Sequence, residues 1–145
     1  MKKTTLRQNV KNTDRHWWIV DADGKNLGRL AVLITDTIRG KNRPDFTPHA
    51  DGGDYVIVLN AEKIKVEGKK ETDKLYHRHS RYLGELKTQT LSEVRTKKPI
   101  KILQDAVSGM LPKNRLRAKQ LKRLFLIVGG KNPHEAQKCE PLNFN

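Results

Sequence analysis

The chain has 145 residues, with 30 lysines and arginines against 16 acidic residues, and a formal net charge of +14 at pH 7. This excess of like charge favours a polyanionic partner, with nucleic acid as the first candidate and an anionic membrane surface as the second. The longest apolar runs, at 30–34, 55–59 and 124–128, exclude a membrane-spanning helix, which needs about 20 such residues.

Apolar residues make up 35% of the chain, enough for one hydrophobic core. We therefore predict a single domain over residues 1–145, with its core at about 16–130 and an irregular tail at 131–145. The single cysteine, Cys139, cannot form an intrachain disulfide. Together with an N-terminus that lacks a secretory signal pattern, it predicts a cytoplasmic protein.

The first elements follow from apolar spacing. Residues 17–20 predict a buried strand, and residues 27–38 predict a helix whose apolar positions recur on one face. Asn26 can cap the start of this helix and Gly40 can end it in a left-handed conformation. After a basic, proline-containing loop, residues 55–59 predict a second strand. Both strands are continuous apolar runs, which is typical of parallel α/β sheets covered on both faces.

The second half of the chain is more polar. Residues 62–87 predict an extended excursion from the core, with weak strand signals around 74–82. Helical patterns return at 91–97 and 100–110. A basic helix is predicted at about 114–123, and a last strand at 124–128.

The segment after Pro112 is the strongest candidate for a binding site, because it concentrates cations without any acidic residue at 113–123. Helical spacing places Ala118 and Leu121 toward the core and the cations opposite them, with Arg117 near the apolar edge. A solvated basic face usually carries acidic residues for pairing, so their absence favours contact with nucleic acid. The cations are Lys113, Arg115, Arg117, Lys119, Lys122 and Arg123.

A second candidate is the stretch 76–82, in which aromatic rings and imidazoles alternate with cations. Its cations neutralise phosphates, and its rings can stack on unpaired bases. For Tyr76 and Tyr82 the sequence leaves two readings open, base stacking or ordinary core packing. The residues concerned, with the lysines that precede them, are Lys69, Lys70, Lys74, Tyr76, His77, Arg78, His79, Arg81 and Tyr82.

Metal and enzyme chemistry find little support. His77 with His79, and His134 with Cys139, lack the dense ligand spacing of a zinc site. Dinucleotide, P-loop and GxSxG motifs are missing from the sequence. Asp51 and Asp54 could form an acid–base pair near a strand end, but turn-forming aspartates beside glycine are the commoner explanation. We predict no catalytic residue, metal, cofactor or small-molecule substrate.

Several segments together resemble one family. Residues 17–31, 40–49, 106–116 and 133–137 are similar in order and spacing to bacterial large-subunit ribosomal protein thirteen, and the resemblance covers about 16–141. It implies a three-layer α/β/α fold on a four-stranded, mainly parallel sheet with basic extended loops. It also implies a component of the large ribosomal subunit that binds large-subunit rRNA beside neighbouring ribosomal proteins and acts early in assembly.

The chain departs from the family at Leu83 and Glu85, where proline and glycine are usual, at Arg117, where glycine is common, and at Asn132, where histidine is frequent. These departures remove no cation from the expected surface. Two alternatives stay open: a free regulator that binds DNA or messenger RNA, and an RNA-modifying enzyme using residues 51–54. The predicted rRNA-binding residues are Lys41, Arg43, Lys69, Lys70, Lys74, Tyr76, His77, Arg78, His79, Arg81, Lys113, Arg115, Arg117, Lys119, Lys122 and Arg123.

Overall fold

The computed structural model describes residues 15–142 as a mixed α/β fold. Within this range a four-stranded sheet is accompanied by five helices and a separate two-stranded hairpin. In chain order the elements are β1 (Trp17–Asp21), α1 (Leu27–Arg39), β2 (Tyr55–Leu59), α2 (Lys70–Asp73), β3 (Leu75–His79), β4 (Leu86–Thr90), α3 (Leu91–Lys97), α4 (Pro99–Met110), α5 (Leu116–Leu121), β5 (Leu124–Leu126) and β6 (Glu140–Pro141).

The sheet has the strand order β5-β2-β1-β6, and all of its pairs are parallel. In the central register Ile19 lies beside Ile57, and Ile57 beside Phe125. Parallel neighbours need a crossover between them, and α1 supplies it between β1 and β2. The prediction of an α/β fold on a four-stranded parallel sheet is confirmed.

Helix α1 forms where the apolar spacing predicts it. Leu30, Ile34 and Ile38 are fully buried, and burial of each such side chain contributes about 1.5–3 kcal/mol. The Asn26 side chain accepts a hydrogen bond from the Gly28 N–H at 3.0 Å and so caps the first turn. Gly40 ends the helix at φ 76°, a conformation that side chains disfavour. Both predicted helix ends are confirmed.

Strand β2 is covered on both faces, as its unbroken apolar run predicts. Val56, Ile57 and Val58 are each 0% exposed. Val56 and Val58 belong to the core cluster that includes the apolar faces of α1 and α4. The opposite face is aromatic, with the Trp17 ring stacked 4.3 Å from Tyr55. Packed side chains therefore cover β2 on both faces of the sheet.

The polar excursion forms the hairpin β3–β4, whose strands are antiparallel. Its register places Tyr76 opposite Gln89 and Arg78 opposite Lys87. The weak strand signals around 74–82 correspond to β3, whereas the sequence predicts no strand at the position of β4. The reason is that most of the hairpin is exposed, so the apolar alternation that marks a half-buried strand is absent.

The basic helix is shorter than predicted. It spans only α5, Leu116–Leu121, instead of 114–123. Ala118 is exposed, so its predicted packing on the core is wrong, and the side chain buried in its place is Gln120, at 3% exposure. The prediction assumes helical spacing through residues 122–123, but these residues form a turn that leads into β5. A rotation of 100° per residue therefore does not apply to them.

The fourth strand, β6, lies in the tail that the sequence leaves irregular. Its two residues pair in parallel with β1, Glu140 beside Trp18 and Pro141 beside Ile19. The Leu142 N–H continues this pairing by donating to the Ile19 carbonyl at 2.8 Å. Proline is tolerated here because β6 is an edge strand. The rest of the described tail, 131–139, contains no helix or strand.

Candidate nucleic-acid interface

One group of cations is buried at the edge where the parallel strands begin. Arg15 precedes β1, Asp51 precedes β2 and Arg123 precedes β5, so the topology brings them together. The Arg123 guanidinium donates to both Asp51 carboxylate oxygens, at 2.6 and 2.7 Å, and to the Ile38 carbonyl at 2.9 Å. Arg15 donates to the Asp51 carbonyl at 3.0 Å and to that of Gly53. We call these residues, with Asp54 and Arg43, the arginine network.

Burial sets the electrostatics of this network. Arg15 and Arg123 each have only 6% of their side chains exposed. Desolvation by burial lowers the pKa of the Arg15 guanidinium, and repulsion by Arg123 lowers that pKa further, while Asp51 opposes both. The sequence placed Arg123 on the solvent face of a helix. That placement is wrong, because the residue lies beyond the end of α5 and its guanidinium is held by Asp51.

Asp54 holds the second half of the network. Its carboxylate accepts from the His16 N–H at 3.1 Å, from the Trp18 indole at 3.3 Å and from Arg43 Nε at 3.3 Å. A second Arg43 nitrogen also donates to it. Asp51 and Asp54 are therefore each paired with an arginine side chain. This arrangement supports their reading as structural residues of the loop and not as an acid–base pair.

A second group of cations is exposed around α5. Lys113, Arg115, Lys119 and Lys122 are exposed, and none of them forms an ion pair within residues 15–142. We call these four residues the α5 surface. Arg117 differs from them, because its guanidinium donates to the Ser108 hydroxyl at 2.5 Å and lies half-buried against α4.

The cations predicted along the hairpin also face solvent. Lys74 lies over the Tyr76 ring, with its ammonium 5.3 Å from the centroid. The backbone N–H of Arg81 donates to His79 Nδ1 at 2.9 Å, and Arg81 adopts φ 75° at the hairpin turn. The predicted residues exposed in this region are Lys69, Lys70, Lys74, His77, Arg78, His79 and Arg81.

Tyr76 and Tyr82 lie in different environments. Tyr76 packs against the core cluster, which agrees with the core-packing reading. Burial raises the pKa of its phenol, and the nearby Asp105 carboxylate raises that pKa further. Tyr82 instead is 77% exposed, beside the fully exposed Leu83. Only Tyr82 therefore presents a free ring face.

The loop cations after α1 are both paired. Lys41 is exposed, and its ammonium lies 3.5 Å from the Asp36 carboxylate. Such exposed pairs are weak, about 0–1 kcal/mol, so Lys41 can exchange this partner for another anion. Arg43 is held more firmly, because its side chain is 20% exposed and its Asp54 partner 8%.

Two further kinds of site, a metal site and a membrane span, can be compared with the described residues. Residues 15–142 contain no group of three or more histidine, cysteine, aspartate or glutamate side chains that could hold a metal ion. In the same range no helix has the length and apolar character needed to cross a membrane. The His134 ring packs 4.8 Å from Phe125, away from His77 and His79 on the hairpin.

The fold and these surfaces define the class, a small and strongly basic α/β protein. The family model described as Ribosomal protein L13 matches residues 15–133, and the chain belongs to this family. It is 49% identical over 142 residues to the Large ribosomal subunit protein uL13 of Symbiobacterium thermophilum, covering 98% of this chain and 99% of that one. Proteins of the same name from Bacillus thuringiensis and Bacillus cereus are 47% identical over 138 residues, or 95% of each chain. The predicted family, a ribosomal protein and not an enzyme, is confirmed.

Proposed function

We propose that the chain is a structural component of the large ribosomal subunit and binds large-subunit rRNA beside neighbouring ribosomal proteins. We also propose that it acts early in subunit assembly. Its relatives carry the name of a large-subunit protein and match it over nearly their whole length, which supports the placement. The observation that carries rRNA binding is the set of exposed cations on the α5 surface and the hairpin that form no ion pair with a carboxylate within residues 15–142.

Exposed cations of this kind suit RNA for a physical reason. A-form RNA presents phosphates and 2′-hydroxyls more readily than its deep major groove, so spread-out lysines and arginines recognise its backbone and shape. Each phosphate that they neutralise releases counterions, which supplies much of the binding free energy at low salt. Residues whose charge is already matched inside the fold contribute less.

We therefore divide the predicted binding residues into two groups. Arg43, Tyr76, Arg117 and Arg123 are half-buried or buried and make contacts within the protein, so we assign them to the scaffold that presents the surface. The residues that we propose to contact rRNA are Lys41, Lys69, Lys70, Lys74, His77, Arg78, His79, Arg81, Lys113, Arg115, Lys119 and Lys122.

Sucrose-gradient fractionation of a cell extract tests the assignment to the subunit. We expect the chain to co-migrate with large subunits at near-stoichiometric amounts and to stay with them in a high-salt wash. Its presence in the smallest large-subunit precursors would support the early role in assembly. A chain that remains at the top of the gradient at both salt concentrations would contradict the proposal and favour a regulator that acts off the ribosome.

Charge reversal tests the proposed surface. The variant R115E/K119E/K122E should fold normally but fail to enter large subunits when it competes with the wild-type chain. A matched control, K65E/K131E/K138E, changes three exposed lysines that make no ion pair within residues 15–142. It lowers the formal net charge of +14 by the same six units. Equal incorporation of both variants would remove the α5 surface from the interface.

A further inference from the structure

A cleft between the hairpin and the α3–α4 junction brings Arg78 together with four lysines that the sequence does not single out. It has a volume of about 280 Å³. The β3–β4 hairpin forms one wall with Arg78 and Lys87, and the helices form the other with Lys97, Lys98 and Lys101. We call this the hairpin cleft. Asp105 is the single carboxylate among its lining residues.

The hairpin wall places two like charges together. Arg78 and Lys87 are directly opposite in the antiparallel register, so their side chains leave the same face of the hairpin. Like charges directly opposite each other destabilise a strand pair. The opposing residues at one neighbouring position of this face, Tyr76 and Gln89, are uncharged. On the turn side Glu85 lines a second cavity with Arg78 and Lys87, but it forms no ion pair with either of them within residues 15–142.

The helical wall places three lysines at the junction of two helices. Lys98 is the residue that precedes α4, and Lys101 lies in its first turn, which contains no acidic residue. The N-terminus of a helix carries partial positive charge, so cations there are disfavoured. Lys97 lies in the last turn of α3 and Lys98 follows that helix, so the C-terminus of α3 favours these two cations, and Lys101 is the one placed against a helix dipole alone. None of the five cations forms an ion pair with another residue of the described range.

Five cations gathered around one cleft repel one another, and an anion between the two walls would attract all five and offset that repulsion. The cleft is slightly smaller than the usual range for ligand pockets, about 300–1000 Å³. It therefore has room for a phosphate with part of its sugar and not for the body of a helix. A volume of this size suits a single strand that passes between the walls.

We propose that the hairpin cleft grips a phosphodiester segment of single-stranded RNA, with Arg78 and Lys87 on one side and Lys97, Lys98 and Lys101 on the other. This inference rests on the proposed function, because the strand would belong to the large-subunit rRNA. It adds a site to the surface proposed above, and the hairpin forms one side of that site. The binding is through the backbone, so it carries little base specificity.

The main test compares two neutralised variants in binding to deproteinised large-subunit rRNA over a range of salt concentrations. K97Q/K98Q/K101Q removes the helical wall of the cleft, and K65Q/K131Q/K138Q removes the same charge elsewhere. We expect the cleft variant to lower the slope of log affinity against log salt by about 2, since each lost contact to a single strand removes about 0.7. The control variant should keep nearly the full slope.

A second variant separates a binding role from a structural one. Lys87→Thr removes the like-charge pair, so we expect it to raise the thermal midpoint of the free protein while it weakens rRNA binding. A lysine that served only the fold would lower the midpoint or leave it unchanged, and that result would overturn the proposal.

The outcomes distinguish the cleft from the proposed function. If the wild-type protein and the cleft variant bind rRNA with the same affinity and the same salt slope, the cleft proposal is wrong and the proposed function is unaffected. Wild-type protein that binds no rRNA and is found off large subunits would overturn the proposed function. Polyglutamate that competes with rRNA at equal charge concentration, and loses this ability in the cleft variant, would reassign the cleft to an acidic protein segment and overturn the RNA proposal.

Discussion

The arginine network and the hairpin cleft use the same charged residue types in opposite ways. In the network Arg15 and Arg123 are almost completely buried and share Asp51, which accepts two short hydrogen bonds from Arg123. In the cleft five cations share one lining carboxylate and form no ion pair within residues 15–142. The difference teaches that a cation's role follows from its burial and its partners, and that the number of cations in a segment says little about either.

The largest expected effect lies in the backbone that holds the network. A Cβ at Gly53 would lie 1.6 Å from the Ile38 carbonyl oxygen, whereas one at Gly109 would meet nothing within 4 Å. Gly53→Ala should therefore destabilise the protein by about 4 kcal/mol or more, while Gly109→Ala in α4 should be neutral or stabilise it by about 0.5–1 kcal/mol. Urea unfolding of both variants measures the contrast, and similar midpoints would contradict the close approach at Gly53.

The next effect tests the charge balance of the network. Asp51→Ala leaves Arg15 and Arg123 buried without their carboxylate, with an expected loss of about 3 kcal/mol in the free energy of unfolding. This value is at the lower end for buried pairs because the Asp51 side chain is 20% exposed. Glu67→Ala, at an exposed carboxylate, is the control and should change stability by less than about 0.5 kcal/mol. Equal stability of the two variants would show that the network contributes little.

A comparison within one basic segment sharpens the distinction further. Arg123→Ala should cost about 2–3 kcal/mol, because it leaves the partly buried Asp51 carboxylate without its main donor. The triple variant R115A/K119A/K122A on the α5 surface should change stability by only about 0.5 kcal/mol. Thermal melts check the stabilities, and rRNA binding should show the reverse order of effects. A large loss of stability in the triple variant would place those cations in the scaffold.

The smallest effect lies at the opposite edge of the sheet, where Asp21 is the last residue of β1. A hydrogen bond from the Asn60 side chain at 2.9 Å, and a second from the Asp23 N–H, lower the pKa of the Asp21 carboxyl. Its contribution to stability is therefore present above the unfolded pKa of about 3.9 and is lost as pH falls through the lower folded value. Asp21→Asn should cost about 0.5 kcal/mol or less at pH 7, because the site is exposed. The difference from wild type should shrink as pH falls below the unfolded pKa, and a difference that grows on acidification would contradict the shift.

Local patterns were sufficient for several elements. The spacing of Leu30, Ile34 and Ile38, with Asn26 before them and Gly40 after them, predicts α1 and both of its ends, because a helix is specified by neighbours three and four residues apart. The unbroken apolar run at 55–59 predicts a strand buried on both faces. Family resemblance, carried by motifs along most of the chain, supplied the four-stranded sheet that the individual strands did not.

The candidate site was only partly predictable. Its cations at Lys119 and Lys122 face solvent as the helical spacing indicates, but Arg123 does not, because α5 ends before it. Lys97 and Lys101 are not predicted as binding residues, because the sequence places them on two separate helices. Only the packing of the hairpin against the α3–α4 junction brings them to one cavity.

By itself the sequence determined the basic character of the protein, its family, α1 and the central strands, since these depend on composition and on residues close together in the chain. The tertiary structure decided which cations are free. Arg123 and Asp51 are separated by 72 positions, and Glu140 reaches Trp18 only when the parallel sheet is complete. Burial and charge pairing are properties of contacts between distant segments, so the division between scaffold and surface exists only in the folded chain.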